Sequence, residues 1–359
     1  MSIQLIKLES TNRDDRLAVI DEIRKQRSID ALDALTDHLE REEERAIREK
    51  IALVFDELLP EAGPETIGRM IRSEDSFTRN CAIETMRKAD DKVIPILGEL
   101  SSDPDHDVRK FAIDALQDRD TPEVRYILRK RLNDDDPNVV YTAVDYLGNL
   151  QDDDAGEAIE LLAMNSEDNP MLFCTCMESL AKIGRTACSP ELVAHCRTIG
   201  NNPLLSNSIL KYMGSCAAFE AVESYVLTLS RKTGELMAEE IINTVVTVCA
   251  REKDIEFSAQ LKKVLRELTA SAGTGENRYE LAKLLADTVN VKESLGAARS
   301  DLGSNDPLMV LAAVEIIGKY GEEKDIDALE KIAEESESDE ILELIGDAAE
   351  EIMKRTDLN

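Results

Sequence analysis

The sequence predicts an all-α protein built as a solenoid of stacked helix pairs. Three observations carry that prediction. Pro104, Pro137, Pro170 and Pro203 recur every 33 residues, preceded by Asp103, Asp136, Asn169 and Asn202. The segments after these breaks share one pattern: an apolar residue, a small or apolar one four positions on, and a large apolar one four further. No segment alternates apolar and polar residues around Asn-Gly or Asp-Gly turns, as β-hairpins do. A period in the low thirties with helical segments between breaks marks a stacked helical array. A prior of about 150 residues per domain would suggest roughly two domains; the repeat replaces it with one stack over 1–359.

The elements follow in order. Residues 1–11 form an N-terminal cap, with a short helix at 3–8 covering the first repeat. Helix pairs fill 12–340, starting near Asn12, Glu44, Ser76, His106, Asn138, Met171, Leu204, Leu236, Glu276 and Leu308. A capping helix over 341–359 closes the array. In the first helices, spacings of four and eight keep the patterned residues on one face. Ala82, Ala112, Ala143, Cys176 and Ala313 hold the middle position, where a small side chain lets a neighbouring helix approach. Second helices are expected at 122–132, 155–164, 190–199, 218–229 and 326–333. Ile127, Leu128 and Leu132 make one buried stripe; Ile159, Leu161 and Leu162 make another, with Ala158 and Ala163 as small neighbours. Polar turns at 118–121 and 151–154 supply Asp and Thr to cap the next helix. Each Asp/Asn-Pro pair ends one helix and starts the next, since Pro is tolerated in a first turn. The eighth repeat is irregular near 254–275, with a hinge or protruding turn at Gly273-Thr274-Gly275.

These residues carry a resemblance. The pattern Asp-x-Asp-Pro-x-Val-Arg…Ala…Ala-Leu, best seen in His106-Asp107-Val108-Arg109-Lys110-Phe111-Ala112-Ile113-Asp114-Ala115-Leu116, resembles HEAT repeats, especially those similar to bacterial phycobilisome-lyase HEAT-like proteins. Residues 76–170 match well; 171–235 and 276–340 keep the spacing without the Val-Arg pair; 236–275 fit loosely. The resemblance implies a right-handed superhelix of about ten HEAT-like pairs whose second helices line a concave surface. It implies protein binding rather than catalysis.

Composition narrows the function classes. The chain has 359 residues, with 43 Lys+Arg against 74 Asp+Glu, a net charge of −31. Hydrophobic residues at 43% are enough for a large core, so the acidity does not mean disorder. Aromatics at 4% and no Trp, on an acidic chain, disfavour nucleic-acid binding. The first nine residues hold no basic stretch or long apolar run, so no signal peptide is expected. No stretch approaches the ~18 apolar residues of a membrane helix. Seven cysteines, an odd number scattered through apolar patterns, suit reduced thiols and a cytoplasmic location.

Catalytic and metal motifs are missing. His38, His106 and His195 are the only histidines, and no His-Glu pair is present. That departs from the HEAT-like enzymes that hydroxylate deoxyhypusine on paired His-Glu motifs. HEAT-like DNA glycosylases need a basic, aromatic channel that this composition does not offer. A zinc site would require Cys174, Cys176, Cys188, His195 and Cys196 to converge; Cys176, however, occupies the small-residue position and reads as core filler. Asp134-Asp135-Asp136 and Asp152-Asp153-Asp154 lack the spaced ligands of a calcium loop and read as turns and caps. No cofactor or metal is expected.

Charge is unevenly spread. Residues 301–359 hold 5 Lys+Arg and 18 Asp+Glu, a net −13, whereas 251–300 sum to +1. Glu334, Glu335, Glu337, Asp339 and Glu340 form a nearly continuous anionic cap, read either as a soluble solenoid end or as a dock for a basic partner. Against it stands one cationic island, Arg125, Arg129, Lys130 and Arg131, which reads as a grip for an acidic or phosphorylated partner or as pairing with neighbouring acids. The expected function is a non-catalytic scaffold or regulator that holds a protein or peptide on the concave surface. The alternatives are a phycobilin-lyase-like bilin-handling enzyme and a transient assembly factor.

Overall fold

The computed structural model describes residues 3–166, 168–184, 188–252, 255–271, 276–288, 291–336 and 338–357; regular structure among them is helical, with no strand. The chain packs as two compact units, Met1–Ile159 and Glu160–Asn359. Among the described residues no helix is long and apolar enough to cross a membrane.

The first unit opens with a 3₁₀ turn, Leu5–Glu9, which packs on the first two helices through buried Leu8. Its helices are α1 (Arg13–Gln26), α2 (Leu32–Arg41), α3 (Arg45–Leu58), α4 (Pro64–Ile71), α5 (Ser76–Lys88), α6 (Ile94–Leu100), α7 (His106–Asp114), α8 (Pro122–Arg131) and α9 (Pro137–Asn149). The unit boundary falls inside α10 (Gly156–Met164). Odd helices α1 to α9 pack in one row and even helices α2 to α8 in a second, so each pair contacts the next.

The second unit holds α11 (Pro170–Ile183), α12 (Pro190–Ile199), α13 (Pro203–Cys216), α14 (Phe219–Val226), α15 (Arg231–Leu236), α16 (Ala238–Arg251), α17 (Ala259–Ser271), α18 (Glu276–Thr288), α19 (Val291–Asp301), α20 (Pro307–Tyr320), α21 (Ile326–Glu335) and α22 (Asp339–Asp357). Here α11, α13, α16, α18, α20 and α22 form one packed row. The short α15 is an insertion that shifts the next repeat's start from Leu236 to Ala238. The Gly273–Gly275 turn lies outside the described residues.

The helix starts follow from capping chemistry. Asp136, Asn169, Asn202 and Asp306 each accept a hydrogen bond from a first-turn N–H, with Pro at the first helical position. Asp103-Pro104 departs from the expected register: Asp105 caps α7 instead, accepting from the Asp107 N–H at 2.9 Å. The reason is a two-step relay. Asp103 Oδ1 accepts the Asp105 N–H at 2.9 Å, as Asp134 Oδ1 accepts the Asp136 N–H at 3.0 Å. Ser10, Glu42, Ser73 and Ser304 do the same for the caps at Asn12, Glu44, Asp75 and Asp306. Asp103 therefore matches Asp134, not Asp136, and the proline spacing overstates that repeat by two residues.

The Arg of the Val-Arg pair binds successive repeats together. Arg109 donates to the Asp103 carbonyl of its own turn at 3.0 Å, and through Nη2 to Asp134 of the next repeat at 2.6 Å. Arg48 repeats this with the Glu42 carbonyl at 3.0 Å and Asp75 at 2.6 Å. Arg16 does so with the Ser10 carbonyl at 3.0 Å and Glu42 at 2.9 Å.

The small-residue positions are core: Ala82, Ala112, Ala143, Cys176 and Ala313 are all buried, as are Ile127, Leu128 and Leu132. The α10 stripe differs from expectation. Ile159 and Ala163 are buried, but Leu161 is 58% exposed and Ala158 is also exposed. Residues four apart share a helical face, and a residue two positions on turns away from it. At the C-terminus α22 buries Ile341, Ile345, Ala348 and Ile352 against Val314, Ile317 and Leu329.

Candidate protein-binding surface

The cationic island lies on α8, started by Thr121, whose hydroxyl accepts the Val124 N–H, and by Pro122. Val124, Ile127 and Leu128 face the core, so the basic residues occupy the remaining positions. Arg125 and Arg129 share a face, as their spacing requires, and both reach the acidic turn of the following repeat. Arg125 donates to the Leu150 carbonyl at 2.7 Å and to Asp120 at 2.8 Å. Arg129 meets Asp152 at 3.0 Å and Asp154 at 2.9 Å. Arg131 points elsewhere, donating to the Ser101 carbonyl at 2.6 Å. Lys130 stands 4.5 Å above the ring of exposed Tyr126. The three guanidinium groups thus hold internal partners, and Lys130 with Tyr126 forms the outward part.

The acidic cap divides across two elements. Glu334 and Glu335 end α21, where they oppose the helix dipole; Asp339 and Glu340 open α22, where they complement it. All four are exposed. Glu337 lies outside the described residues. Glu340 joins a concave feature.

That feature is a groove of about 930 Å³, measured out to its open side, lined by Tyr279 of α18, Leu308, Leu311 and Glu315 of α20, and Glu340, Glu343, Leu344 and Asp347 of α22. Spacings of three, four and seven put the α20 and α22 residues on single faces. Half-buried Leu308, Leu311 and Leu344 give an apolar floor. Glu315 is neutralised at that floor: Lys283 Nζ lies at 2.8 Å and the Tyr279 hydroxyl donates to it. Its carboxylate holds the Lys283 ammonium above the usual lysine range, while burial pushes the Tyr279 hydroxyl up. Glu340, Glu343 and Asp347 are exposed on the opposite wall. A larger hollow of about 1250 Å³ between α14, α15, α16 and α17 differs in that its Arg231 and Glu235 pair with each other at 2.7 Å.

Glu343, Leu344, Asp347, Leu308 and Leu311 were not anticipated as site residues. The available signal was Leu344, which falls off the stripe of Ile341, Ile345, Ala348 and Ile352 and lies among acids.

The cysteine and histidine candidates do not converge as a ligand set. No three of Cys174, Cys176, Cys188, His195 and Cys196 bring ligand atoms together; the group that does so among the described residues is exposed Asp105-His106-Asp107, where Asp105 already caps α7. Cys176 and Cys196 are buried, which pushes each thiol up to about 12. Cys174 Sγ lies 3.5 Å from the Leu204 carbonyl, and the His195 ring packs 6.2 Å from that of Phe173.

Comparison with known proteins places the fold. A family model described as HEAT repeats matches residues 94–172. No curated protein matches the sequence. Among solved structures, importin beta in a polyethylene glycol condition is similar at 12% identity and TM-score 0.58, covering 99% of this chain and 60% of that one. Importin beta in an ammonium sulfate condition is similar at 14% identity and TM-score 0.54, covering 99% and 53%. The chain thus spans little more than half the length of these importin chains. The structure is an all-α solenoid, and its residues 94–172 match the family model described as HEAT repeats.

Proposed function

We propose that this chain is a non-catalytic protein-binding scaffold, and that it holds a basic, apolar-anchored segment of a partner protein in the groove between α18, α20 and α22. The observation that carries this reading is the pairing of an apolar floor, Leu308, Leu311 and Leu344, with an exposed acidic wall, Glu340, Glu343 and Asp347. Leu side chains would supply the anchor, and the carboxylates would select Lys and Arg and speed encounter through the local field. The remaining cap acids, Glu334, Glu335, Glu337 and Asp339, extend that field. The likeness to importin beta supports a scaffold at the level of fold. The α8 island, Arg125, Arg129, Lys130 and Arg131, stands as a secondary surface, with Lys130 and Tyr126 its accessible part. The narrower likeness to phycobilisome-lyase proteins and a bilin-handling role rest on repeat type alone. A transient assembly factor is the same reading with a shorter-lived complex. The odd number of cysteines, scattered through apolar positions, supports a reducing, cytoplasmic setting.

The test is a fluorescence-anisotropy titration with peptides that intersperse Leu with Lys or Arg. The expected result is saturable binding that weakens about tenfold or more in the triple variant E340K/E343K/D347K, and that also weakens with added salt. Equal affinity in the two proteins would remove the groove assignment.

A further inference from the structure

One cysteine pair is built differently from the other thiols. Cys188 Sγ and Cys216 Sγ lie 3.0 Å apart, in contact but well beyond an S–S bond of about 2.05 Å. Cys188 sits just before the Ser189 cap of α12, and Cys216 is the last residue of α13. The contact therefore joins segments 28 residues apart in sequence. Cys188 is half-buried and Cys216 is buried. The Tyr212 hydroxyl is buried beside both sulfurs and makes no hydrogen bond of good geometry, which leaves a donor turned towards them. All seven cysteines lie among the described residues, and no other two sulfurs meet.

We propose that Cys188 and Cys216 form a redox-modification site, oxidised by hydrogen peroxide to a reversible disulfide that fastens the entrance of α12 to the end of α13. The surroundings sort the charge between the two sulfurs. Either sulfur can donate across the contact, and the Cys216 S–H also reaches the Tyr212 carbonyl at 3.1 Å; the hydrogen bond with Cys188 and the nearby Arg251 guanidinium hold the Cys216 thiol below its ordinary value. The same hydrogen bond, burial and the nearby Glu160 carboxylate push Cys188 up. Cys216 is thus the more readily ionised of the two, and the thiolate, once formed, is the nucleophile in thiol oxidation. Cys216 gives up its proton, its sulfur attacks one peroxide oxygen, the O–O bond breaks, and the departing hydroxide takes up that proton to leave as water. Cys216 is then a sulfenic acid, whose oxygen the Tyr212 hydroxyl is placed to bond. Cys188 sulfur, losing its proton, attacks Cys216 sulfur and expels the hydroxyl, which leaves with that proton as a second water. Each sulfur gives up one electron and each peroxide oxygen gains one. A dithiol reverses the reaction by exchange. The other thiols lack a resolving sulfur; burial pushes Cys81 and Cys249 up to about 11, and Cys176 and Cys196 up to about 12. This inference does not depend on the acidic groove.

The test treats the full chain with equimolar hydrogen peroxide, alkylates the remaining thiols, and maps them by peptide mass spectrometry. The expected product is a cross-linked peptide pair lighter by two hydrogens, placed by fragmentation at Cys188 and Cys216 and lost after dithiothreitol. In C188S, with its helical content checked by circular dichroism, the cross-link is absent and Cys216 instead accumulates a dimedone-reactive sulfenic acid. Two results would overturn the proposal. One is full alkylation of Cys188 and Cys216 while another cysteine oxidises; the other is a stable Cys216 sulfenic acid in the unmutated protein with no cross-link.

Discussion

Arg109 uses both edges of its guanidinium inside the structure, one on its own turn and one on the next repeat. The Arg109 and Asp134 side chains are only 13% and 4% exposed, so removing one partner leaves the other charge buried. We expect R109A to cost roughly 3–5 kcal/mol, read as a lower urea midpoint with faster amide exchange in α7 and α9. By contrast R45A, which loses an ion pair on side chains 91% and 57% exposed, should leave the midpoint unchanged. Burial alone would raise the Asp134 carboxyl, but hydrogen bonds from Arg109 and the Asp136 N–H, with the Arg109 and Arg131 charges, hold it below its ordinary value. Its stabilisation is therefore complete above the ordinary aspartate value of about 4 and is lost as pH falls through the lower folded value. D134N should remove that part of the acid sensitivity in a pH series of urea titrations. The sequence shows Arg109 and the acidic turns but not their pairing, because the partner lies 25 residues away. For the same reason the α8 island reads in sequence either as a grip for an acidic partner or as pairing with nearby acids, while its guanidinium groups reach turns of other repeats.

Helix placement was largely legible, because Asp, Asn and Pro at helix starts act through local capping that needs no tertiary information. Misreadings arose where two local devices compete, as at Asp103-Pro104, or where a face shifts by two residues, as at Leu161. Helix approach was legible only in part: the small residues were evident, the close glycine contact between α20 and α22 was not. Gly318 of α20 lies against α22, where an added Cβ would meet Ala348 Cβ at 2.9 Å and its Cα at 3.0 Å. Both contacts are with parts of a helix that cannot rotate away, so G318A should destabilise the α20–α22 packing by about 1–3 kcal/mol. Gly296 of α19 has nothing within 4 Å of an added Cβ. G296A should instead stabilise by about 0.4–1 kcal/mol through the unfolded chain. Opposite shifts of the thermal midpoint in these two variants would check the packing directly.

At the scale of the molecule, the charge of −31 is a set of local arrangements rather than a uniform surface. Many acids cap helices or bind the arginines of neighbouring repeats, and these are structural. The carboxylates on the outward face of α22 are arranged differently, exposed above a leucine floor. The acidic C-terminus was legible from composition; the groove was not, because its walls come from three helices whose register only packing sets. The most direct test places a photo-crosslinking amino acid at Leu344 in cells, with exposed Leu161 of α10 as the control position. The scaffold account predicts adducts at position 344, mapping to partner segments that combine Lys or Arg with large apolar residues, and lost when E340K, E343K and D347K are added. Adducts equal at both positions, or unaffected by the charge reversals, would contradict it.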